Sequence, residues 1–302
     1  MGRHAGRMAF PGDDPHYWRM RRRRFVQTLG MLATGAIVRP RFLATPFAGG
    51  RRLARVGLEL YSVRNAMKAE PEGTLAAIRK LGYEQVELLW SFDNFGRTPQ
   101  QVRTTLDALG LAAPSAHIAP EILLKDWDKS LEKARYLGHR FLVVPSLPDE
   151  TATSLDAWRL WADRFNTAGE AARKAGLALA FHNEPEHVHP IDGVVPYDLF
   201  IARTDPAAVR LQLDFGNMAV GGGDPMAYLT KYRDRYVSFH VKDVVPDRSH
   251  DTELGAGVLD LKDLLAAIPD IDDKPCYVEQ EAPKDELASA GANYRYLANL
   301  AF

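Results

Sequence analysis

Residues 209–243, VRLQLDFGNMAVGGGDPMAYLTKYRDRYVSFHVKD, contain the pattern from which the architecture follows. An apolar run, VRLQLD (209–214), opens this stretch, and a second one, YVSFHV (236–241), lies near its end. The residues between them have helical periodicity in DPMAYLTKYRDR (224–235). Parallel strands need a long crossover connection, commonly a helix, rather than a tight turn. The stretch therefore predicts one unit of two parallel strands joined by a helix.

The same alternation continues through the rest of the chain from residue 56 onward. Helical patterns occupy 71–82, 99–110, 129–138, 154–176 and 260–268, and several end in glycine, a common residue after the last turn of a helix. Six further apolar runs have strand length: VGLELY (56–61), YEQVELL (83–89), LAAPSAH (111–117), RFLVVP (140–145), LALAFHN (177–183) and PCYVEQ (275–280). Eight such units in about 250 residues predict an α/β fold closed as a (β/α)₈ barrel, in one domain over 49–302.

A doubly wound open sheet is the competing prediction. Such a sheet often has a glycine-rich turn after its first strand, whereas ELYSVRN (59–65) occupies that place here. GGGDP (221–225) lacks the later glycine and lysine of a phosphate loop. It is interpreted as a flexible loop in which Asp224 caps the next helix. The closed barrel is therefore the favoured architecture.

Composition excludes several classes of protein. The chain has 38 Lys and Arg against 39 Asp and Glu, but residues 1–48 hold nine of these bases and two of these acids, which leaves 29 bases and 37 acids beyond. An acidic body of this kind disfavours nucleic acid as a partner. The single cysteine, Cys276, excludes an internal disulfide and a thiolate metal cluster. No apolar run approaches the roughly 20 residues of a spanning helix, so no stable membrane span is expected.

The first 48 residues resemble a targeting segment. In RRRRFVQTLGMLATGAIV (21–38), an arginine cluster precedes a short apolar run that suits a signal peptide. The RR-x-F-V arrangement resembles a twin-arginine export signal, which predicts recognition by the twin-arginine export machinery and a periplasmic location. ATPFA (44–48) is a candidate cleavage region. A basic tail, or an N-terminal arm that binds nucleic acid, is the alternative interpretation.

Ionisable residues cluster at one end of the predicted strands. In a barrel, functional groups lie at the carboxyl ends of the strands. The opposite ends, such as Val56 and Leu177, are mostly apolar. The residues at the carboxyl ends are Glu87, His117, His182 with Glu184, Asp214, His240 with Lys242, and Glu279 with Glu281. The sequence therefore predicts an active site at this mouth of the barrel.

The last four predicted strands each end in a side chain that can bind a metal. Residues two apart share a face of a strand, so His182 and Glu184 point together, as do Glu279 and Glu281. Three carboxylates and one imidazole suit Mn²⁺ or Mg²⁺, and Zn²⁺, Co²⁺ or Fe²⁺ are also compatible with them. The predicted ligands of one divalent ion are Glu184, Asp214, His240 and Glu279.

A cation in this position predicts chemistry on a small sugar or keto-sugar. It can grip two neighbouring oxygens and stabilise an enediolate when a proton leaves the carbon beside a carbonyl. Two carboxylates that flank this carbon can act as acid and base. Each residue also has a structural interpretation. Asp214 can cap a helix or turn, His240 can be a hydrogen-bonded core histidine, Glu87 can pair with a base, and Lys242 can be solvated at an exposed strand end.

Two further groups are interpreted as structural. His187 and His189, in EPEHVHP, are spaced by two residues in a Pro-flanked segment, which favours a surface loop over a metal pair. Trp158, Trp161 and Phe165 recur at intervals of three and four residues. This spacing predicts a helix face that packs on the barrel.

Several motifs resemble the xylose isomerase-like TIM-barrel superfamily, specifically its sugar phosphate isomerase/epimerase group. The resemblance covers about residues 55–302 and includes a GGGDP loop. The other motifs are ELYSVR (59–64), FHNE (181–184), LQLDFGNM (211–218), FHVKD (239–243), LGAGVLDL (254–261) and YVEQE (277–281). The resemblance implies the same four metal ligands, with Glu184 and Glu279 as acid and base. Many relatives have histidine where Glu184 stands, so His182 is the alternative ligand on strand five.

The resemblance also implies roles around the metal. Asn217 stands where ketose epimerases often have a histidine that contacts substrate, so this chain departs from their pattern. The residues expected to bind substrate are Glu87, His117, His182, Asn217, Lys242 and Glu281.

The predicted reaction is isomerisation or epimerisation of a sugar. A lyase or hydratase that acts on keto-sugars or 3-keto-glycosides is the nearest alternative, and a non-catalytic sugar-binding barrel is the third. Related endonucleases need further metal ligands and a basic groove, which the acidic body disfavours. Beyond the first 48 residues, no arginine cluster or phosphate loop is evident at the predicted strand ends, so a sugar without phosphate is expected. Whether the chain forms a homo-oligomer stays open.

Overall fold

The computed structural model describes residues 50–302, and the predicted export signal at 1–48 lies outside the described residues. Eight parallel strands close into a barrel in which each strand pairs with the next along the chain, and the last pairs with the first. Every strand lies within the apolar run that predicts it. The barrel strands are β1 (Gly57–Glu59), β2 (Gln85–Leu89), β3 (Ala112–His117), β4 (Phe141–Val144), β5 (Ala178–His182), β6 (Val209–Asp214), β7 (Tyr236–Val241) and β10 (Cys276–Val278). The (β/α)₈ barrel is confirmed, and the open sheet is wrong.

Helices surround the barrel and connect its strands. Two short strands, β8 (Asp243–Val244) and β9 (Asp251–Thr252), form an antiparallel pair after β7.

No described helix combines the length and the apolar character that a membrane crossing needs. The helices are α1 (Arg64–Ala69), α2 (Pro71–Leu81), α3 (Asp93–Gly96), α4 (Pro99–Leu109), α5 (Trp127–Leu137), α6 (Leu155–Lys174), α7 (Pro196–Arg203), α8 (Phe215–Val220), α9 (Pro225–Lys231), α10 (Leu261–Ala266) and α11 (Glu286–Asn299).

Local sequence signals fix where these helices begin and end. The Thr98 hydroxyl accepts a hydrogen bond from the backbone N–H of Gln101, and the Gln101 side chain accepts one from the backbone N–H of Thr98. This reciprocal pair satisfies two N–H groups at the start of α4 that have no partner within the helix. Asp224 caps α9 through the N–H groups of the first helical turn, as predicted. Gly110 follows α4 with φ of 63°, a left-handed conformation that side chains disfavour.

The space between barrel and helices is filled by apolar side chains. Phe165 on α6 is fully buried, and its ring centroid lies 5.5 Å from that of Phe181 and 5.0 Å from that of Phe200. Trp158 and Trp161 on the same helix are buried too. The prediction that these aromatic residues form core is confirmed. We call this layer the outer shell.

Much of the inside of the barrel has the opposite character, although Phe141, Val143 and Ala180 form a separate small apolar cluster on β4 and β5. Barrels of this type usually fill their interior with branched apolar side chains. Here residues from β1, β2, β3, β6, β7 and β10 project polar groups into it. The buried polar residues of this interior include Glu59, Glu87, Ser115, Gln212, Ser238 and Tyr277. The ionisable residues predicted for the mouth therefore continue into a polar layer inside the barrel, and one of them, Glu87, belongs to that layer.

Candidate active site

Four buried side chains converge at the carboxyl ends of β5, β6, β7 and β10. His182 is the last residue of β5, Asp214 is the last residue of β6, and His240 pairs with Asp214 in the register of β6 and β7. Glu279 follows β10 directly. One ligand atom from each of the four lies within 4.8 Å of the others. We call this set, His182, Asp214, His240 and Glu279, the outer cluster.

Glu184 lies beside the outer cluster rather than in it. Its Oε1 is 3.7 Å from His182 Nδ1, and its Oε2 accepts a hydrogen bond of 3.0 Å from Asn217 Nδ2. On strand five, the structure thus groups His182 with the other three residues. Burial, together with the charges of Glu186 and Glu281, raises the pKa of Glu184 well above its usual value. Burial therefore favours the protonated form of Glu184 at the side of the cluster.

The outer cluster has the donor atoms that a divalent ion needs. Both ring nitrogens of His182 are buried and have no hydrogen-bond partner. Buried polar atoms without partners cost free energy, so a missing partner is expected here. Asp214 uses Oδ1 to accept from the backbone N–H of Asn217, which caps α8, and its Oδ2 remains directed at the cluster. Two imidazoles and two carboxylates are ligands that Zn²⁺, Mn²⁺, Co²⁺ and Fe²⁺ accept.

Lys242 places its ammonium against the same cluster. The side chain is 1% exposed, and Nζ lies 2.9 Å from Asp214 Oδ2, 3.1 Å from Glu279 Oε2 and 3.1 Å from Glu281 Oε1. It also donates to Asn217 Oδ1. Burial alone would lower the pKa of Lys242, but these carboxylates outweigh it and hold the pKa well above its usual value. The interpretation of Lys242 as a solvated strand end is wrong.

His240 lies between two carboxylates. Its Nδ1 is 2.7 Å from Glu279 Oε2, and its Nε2 is 2.6 Å from Glu87 Oε2. Burial would lower the pKa of His240, but the carboxylates outweigh burial and raise it to about 10. Glu87 is fully buried beneath the ring and fixes its orientation, as carboxylates behind metal-binding histidines commonly do. Contact between Glu87 and a sugar stays a prediction.

His117 contacts the site from strand β3. Its Nε2 is 2.9 Å from Gln212 Oε1 and 3.3 Å from Glu87 Oε2, and its ring stacks on that of His240 with centroids 5.2 Å apart. Burial lowers the pKa of His117 to about 4, so the ring is neutral at pH 7. His117 therefore packs among the ionisable groups without adding charge to them.

Some of this arrangement does not follow from the sequence patterns. Glu59 ends β1 beside Glu87 and is fully buried, yet in VGLELY it is one polar residue within an apolar run. A charged residue inside a predicted buried strand is the signal in the sequence that points to a functional role for Glu59. The predicted position of His187 on a surface loop is wrong. His187 is buried, its ring packs on Trp158 and Phe181, and its Nδ1 accepts from the backbone N–H of Glu184.

Comparison with known proteins places this arrangement in a family. An inosose dehydratase of Lacticaseibacillus casei is 29% identical over 133 residues, which are 37% of this chain and 43% of the relative. The match thus spans less than half of that relative.

Two solved structures share the fold. A sugar phosphate isomerase/epimerase from Parabacteroides distasonis has a TM-score of 0.69 and 24% identity, over 83% of this chain and 95% of that one. The IolI protein with a zinc atom has a TM-score of 0.62 and 14% identity, over 80% and 95%. The family described as xylose isomerase-like TIM barrel matches residues 75–300. The chain therefore belongs to the xylose isomerase-like TIM-barrel family, whose relatives include isomerases, epimerases and dehydratases.

Proposed function

We propose that this protein is a divalent-metal-dependent enzyme that removes a proton from the carbon beside the carbonyl of a sugar or keto-sugar and gives an isomer or epimer. One observation carries the proposal. His182 is buried with both ring nitrogens unpartnered, and it lies in one cluster with Asp214, His240 and Glu279. A cation supplies the partner that these buried groups lack.

The outer cluster would hold the ion, with Glu184 as the alternative ligand that the resemblance implies on strand five. When bound, a divalent ion of this kind polarises a carbonyl and stabilises the negative charge of an enediolate. Mn²⁺ and Mg²⁺ are the ions that the sequence favours. The paired imidazoles of the cluster also accommodate Zn²⁺, Co²⁺ and Fe²⁺.

Two carboxyl groups have the protonation states that acid and base need. Burial would raise the pKa of Glu279, but Lys242 and His240 outweigh burial and hold it well below its usual value, so this carboxylate can accept a proton. The raised pKa of Glu184 leaves that carboxyl able to donate one. Asn217 connects Glu184 to Lys242, since its amide donates to Glu184 and its carbonyl accepts from Lys242, which in turn contacts Glu279. Divergent pKa values in one site are typical of an acid and base pair.

A dehydratase or lyase is the second candidate function. It shares the first step, because removal of the same proton gives the same enediolate, which then expels a hydroxyl or other group from the next carbon. The curated relatives named inosose dehydratase favour this outcome. The raised pKa of Glu184 supports a role for this carboxyl as the acid that protonates a departing hydroxyl.

We also propose a substrate without phosphate and a periplasmic location. The cations that the structure places near the site are already engaged. Lys242 contacts three carboxylates, and Arg64 donates to the backbone carbonyls of Tyr61 and Glu281. The charge of Lys242 is thus already balanced, and the Nη1 group of Arg64 is occupied by backbone carbonyls. The location rests on the twin-arginine-like segment at 21–38.

Solvent-exchange measurements test the proposal. The metal-stripped protein is reloaded with Mn²⁺ and incubated in D₂O with a panel of aldoses, ketoses, inososes and 3-keto-glycosides. We expect deuterium to enter the carbon beside the carbonyl of one substrate. A product of unchanged mass, apart from deuterium, supports isomerisation or epimerisation. Loss of water or of an aglycone supports the dehydratase or lyase.

Two variants control this experiment. Asp214→Asn should abolish exchange together with metal binding at the outer cluster, whereas Asp163→Asn, on an exposed ion pair with Arg203, should change neither. Sugar binding without any exchange would overturn the enzymatic proposal in favour of a non-catalytic sugar-binding barrel.

A further inference from the structure

A second group of potential ligands lies deeper in the barrel. Glu59, Glu87, His117 and His240 are all buried, and one ligand atom from each lies within 4.8 Å of the others. They come from β1, β2, β3 and β7. We call this set the inner cluster. It shares only His240 with the outer cluster.

Glu59 is the residue in this group whose polar atoms lack partners. Both of its carboxylate oxygens are buried without a hydrogen bond. Its Oε1 is 3.9 Å from His117 Nδ1, and its Oε2 is 4.0 Å from His240 Nε2. Glu87 is its neighbour in the register of β1 and β2, so two carboxylates share one buried region. Such a pair is costly to bury unless a positive charge or a proton lies between them.

Glu87, by contrast, is fixed by surrounding donors. It accepts hydrogen bonds from Ser115 Oγ at 2.5 Å and from Gln212 Nε2 at 3.0 Å. Gln212 Nε2 also contacts Ser238 Oγ. This network holds one carboxylate in place and leaves Glu59 directed at the two imidazoles. The arrangement is that of a preorganised ligand with its supporting hydrogen bonds.

From these observations, we propose that Glu59, Glu87, His117 and His240 bind a second divalent cation inside the barrel. Two carboxylates neutralise the charge of such an ion, and two imidazoles complete four ligands. A tetrahedral ion about 2.1 Å from each ligand needs ligand atoms roughly 3.4 Å apart. His240 Nε2 lies 2.6 Å from Glu87 Oε2 and 4.0 Å from Glu59 Oε2, and His117 offers either Nε2, 3.3 Å from Glu87 Oε2, or Nδ1, 3.9 Å from Glu59 Oε1. One atom from each residue lies within 4.8 Å of the others, so modest side-chain shifts suffice.

Both sites supply four buried protein ligands, an arrangement that is typical of a structural ion. In the inner cluster only His117 has any exposed surface, at 6%, and in the outer cluster Glu279 is the most exposed, at 7%. His240 belongs to both clusters, with Nδ1 toward Glu279 and Nε2 toward Glu87 and Glu59. With both ions bound, Nδ1 would serve one ion and Nε2 the other, so the ring, which carries two protons at pH 7 without metal, would release both of them to solvent. The inner ion is thus a separate inference from the proposed function, although one ligand is shared.

Metal stoichiometry tests this inference. The full chain is stripped of metal, incubated with excess Mn²⁺, desalted and analysed for manganese per protein, and circular dichroism checks the fold of each variant. We expect two equivalents in the wild type and the loss of one equivalent in Glu59→Gln, which keeps the side-chain shape. Asp214→Asn should lose the other equivalent. Electron paramagnetic resonance of the loaded wild type should show two interacting Mn²⁺ ions, and Glu59→Gln should show an isolated one.

The outcomes separate this inference from the proposed function. One equivalent in the wild type that survives Glu59→Gln but not Asp214→Asn overturns the inner site, and means that Glu59 carries a proton shared with Glu87. One equivalent that survives Asp214→Asn but not Glu59→Gln supports the inner site and contradicts the outer one. No bound manganese, with Zn²⁺ also failing, overturns both.

Discussion

Along β6, successive residues face two environments of opposite chemistry. Leu211 and Leu213 pack in the apolar outer shell, whereas Gln212 and Asp214 project into the barrel interior, where they contact Glu87 and the outer cluster. The shell consists of large apolar side chains in close contact. The interior holds buried carboxylates, imidazoles and an ammonium, with unpartnered atoms on Glu59 and His182. The same strands therefore support both layers through simple alternation.

This contrast indicates a division of labour between the two surfaces. Apolar burial and close packing stabilise a fold, whereas buried charges and unpartnered polar atoms cost free energy. Substitutions in the outer shell should therefore lower the free energy of unfolding and leave metal binding intact. Substitutions of metal ligands in the interior should weaken metal binding without lowering the free energy of unfolding. Such a separation is expected where a functional site is maintained at the expense of stability.

Phe165→Ala should have the greatest effect on stability. The Phe165 ring is fully buried against Phe181 and Phe200, so its removal leaves a cavity that costs about 3–5 kcal/mol in the free energy of unfolding. Urea denaturation with metal-free protein measures the loss. Leu160→Ala on the same helix is the control, because Leu160 is half exposed and its removal should cost about 0.5 kcal/mol or less. Loss of Mn²⁺ stoichiometry in folded Phe165→Ala would contradict the division between the layers.

The pH dependence of stability at His139 measures how much a buried ionisable group outside the barrel interior lowers the free energy of unfolding when it must stay neutral. His139 follows α5, its ring lies 5.6 Å from that of Trp90, and its Nδ1 hydrogen bonds to the Ala113 carbonyl. Burial lowers the pKa of His139 to about 4, from about 6.5 in the unfolded chain. The folded state therefore keeps the ring neutral where the unfolded state takes up a proton. The stability that His139 contributes is complete above pH 6.5 and is lost as the pH falls toward 4, by about 2–3 kcal/mol.

Urea denaturation from pH 7 to pH 4 measures this dependence. His139→Gln cannot titrate, so its stability should fall less over that range than that of the wild type. Parallel curves for the two proteins would mean that His139 does not remain neutral in the folded state at low pH.

Lys242→Met should strengthen metal binding. The Lys242 ammonium contacts Asp214 Oδ2 and Glu279 Oε2, atoms that a cation in the outer cluster would also use. Removal of the competing charge should lower the Kd for Mn²⁺ about tenfold, or about 1.4 kcal/mol, as measured by titration calorimetry. Lys231→Met, on the exposed pair with Asp198, is the matched control and should leave the Kd unchanged. Weaker binding in Lys242→Met would show that the lysine supports the metal site instead of competing for it.

Much of this architecture follows from local sequence. Each barrel strand is a short apolar run with no competing helical period, and glycines such as Gly110 mark the helix ends, so the strands and their order could be predicted. The convergence of Asp214, His240 and Glu279 follows in turn, because parallel strands bring their carboxyl ends to one mouth.

Other features depend on contacts between distant parts of the chain. The burial of Lys242 requires carboxylates from β6 and from the segment after β10, and nothing in HVKD alone distinguishes this from a solvated strand end. The position of Glu59 requires partners from β2, β3 and β7. His187 is buried because α6 supplies Trp158 to cover it. The environments of these residues form only when the barrel and its shell close. Local sequence therefore does not predict them.

Thr98→Ala, at a position outside both layers, should have a small effect on stability. Thr98 is exposed at the start of α4, and its hydroxyl accepts from the backbone N–H of Gln101, so its loss should cost about 1 kcal/mol in the free energy of unfolding. Thr98→Ser keeps the hydroxyl and should cost less. The hydrogen bonds of this cap join Thr98 to Gln101 and do not reach the metal ligands. The Kd for Mn²⁺ should therefore not change in either variant. A change in that Kd would mean that helix stability on the surface is coupled to the barrel interior, and that the two layers do not act independently.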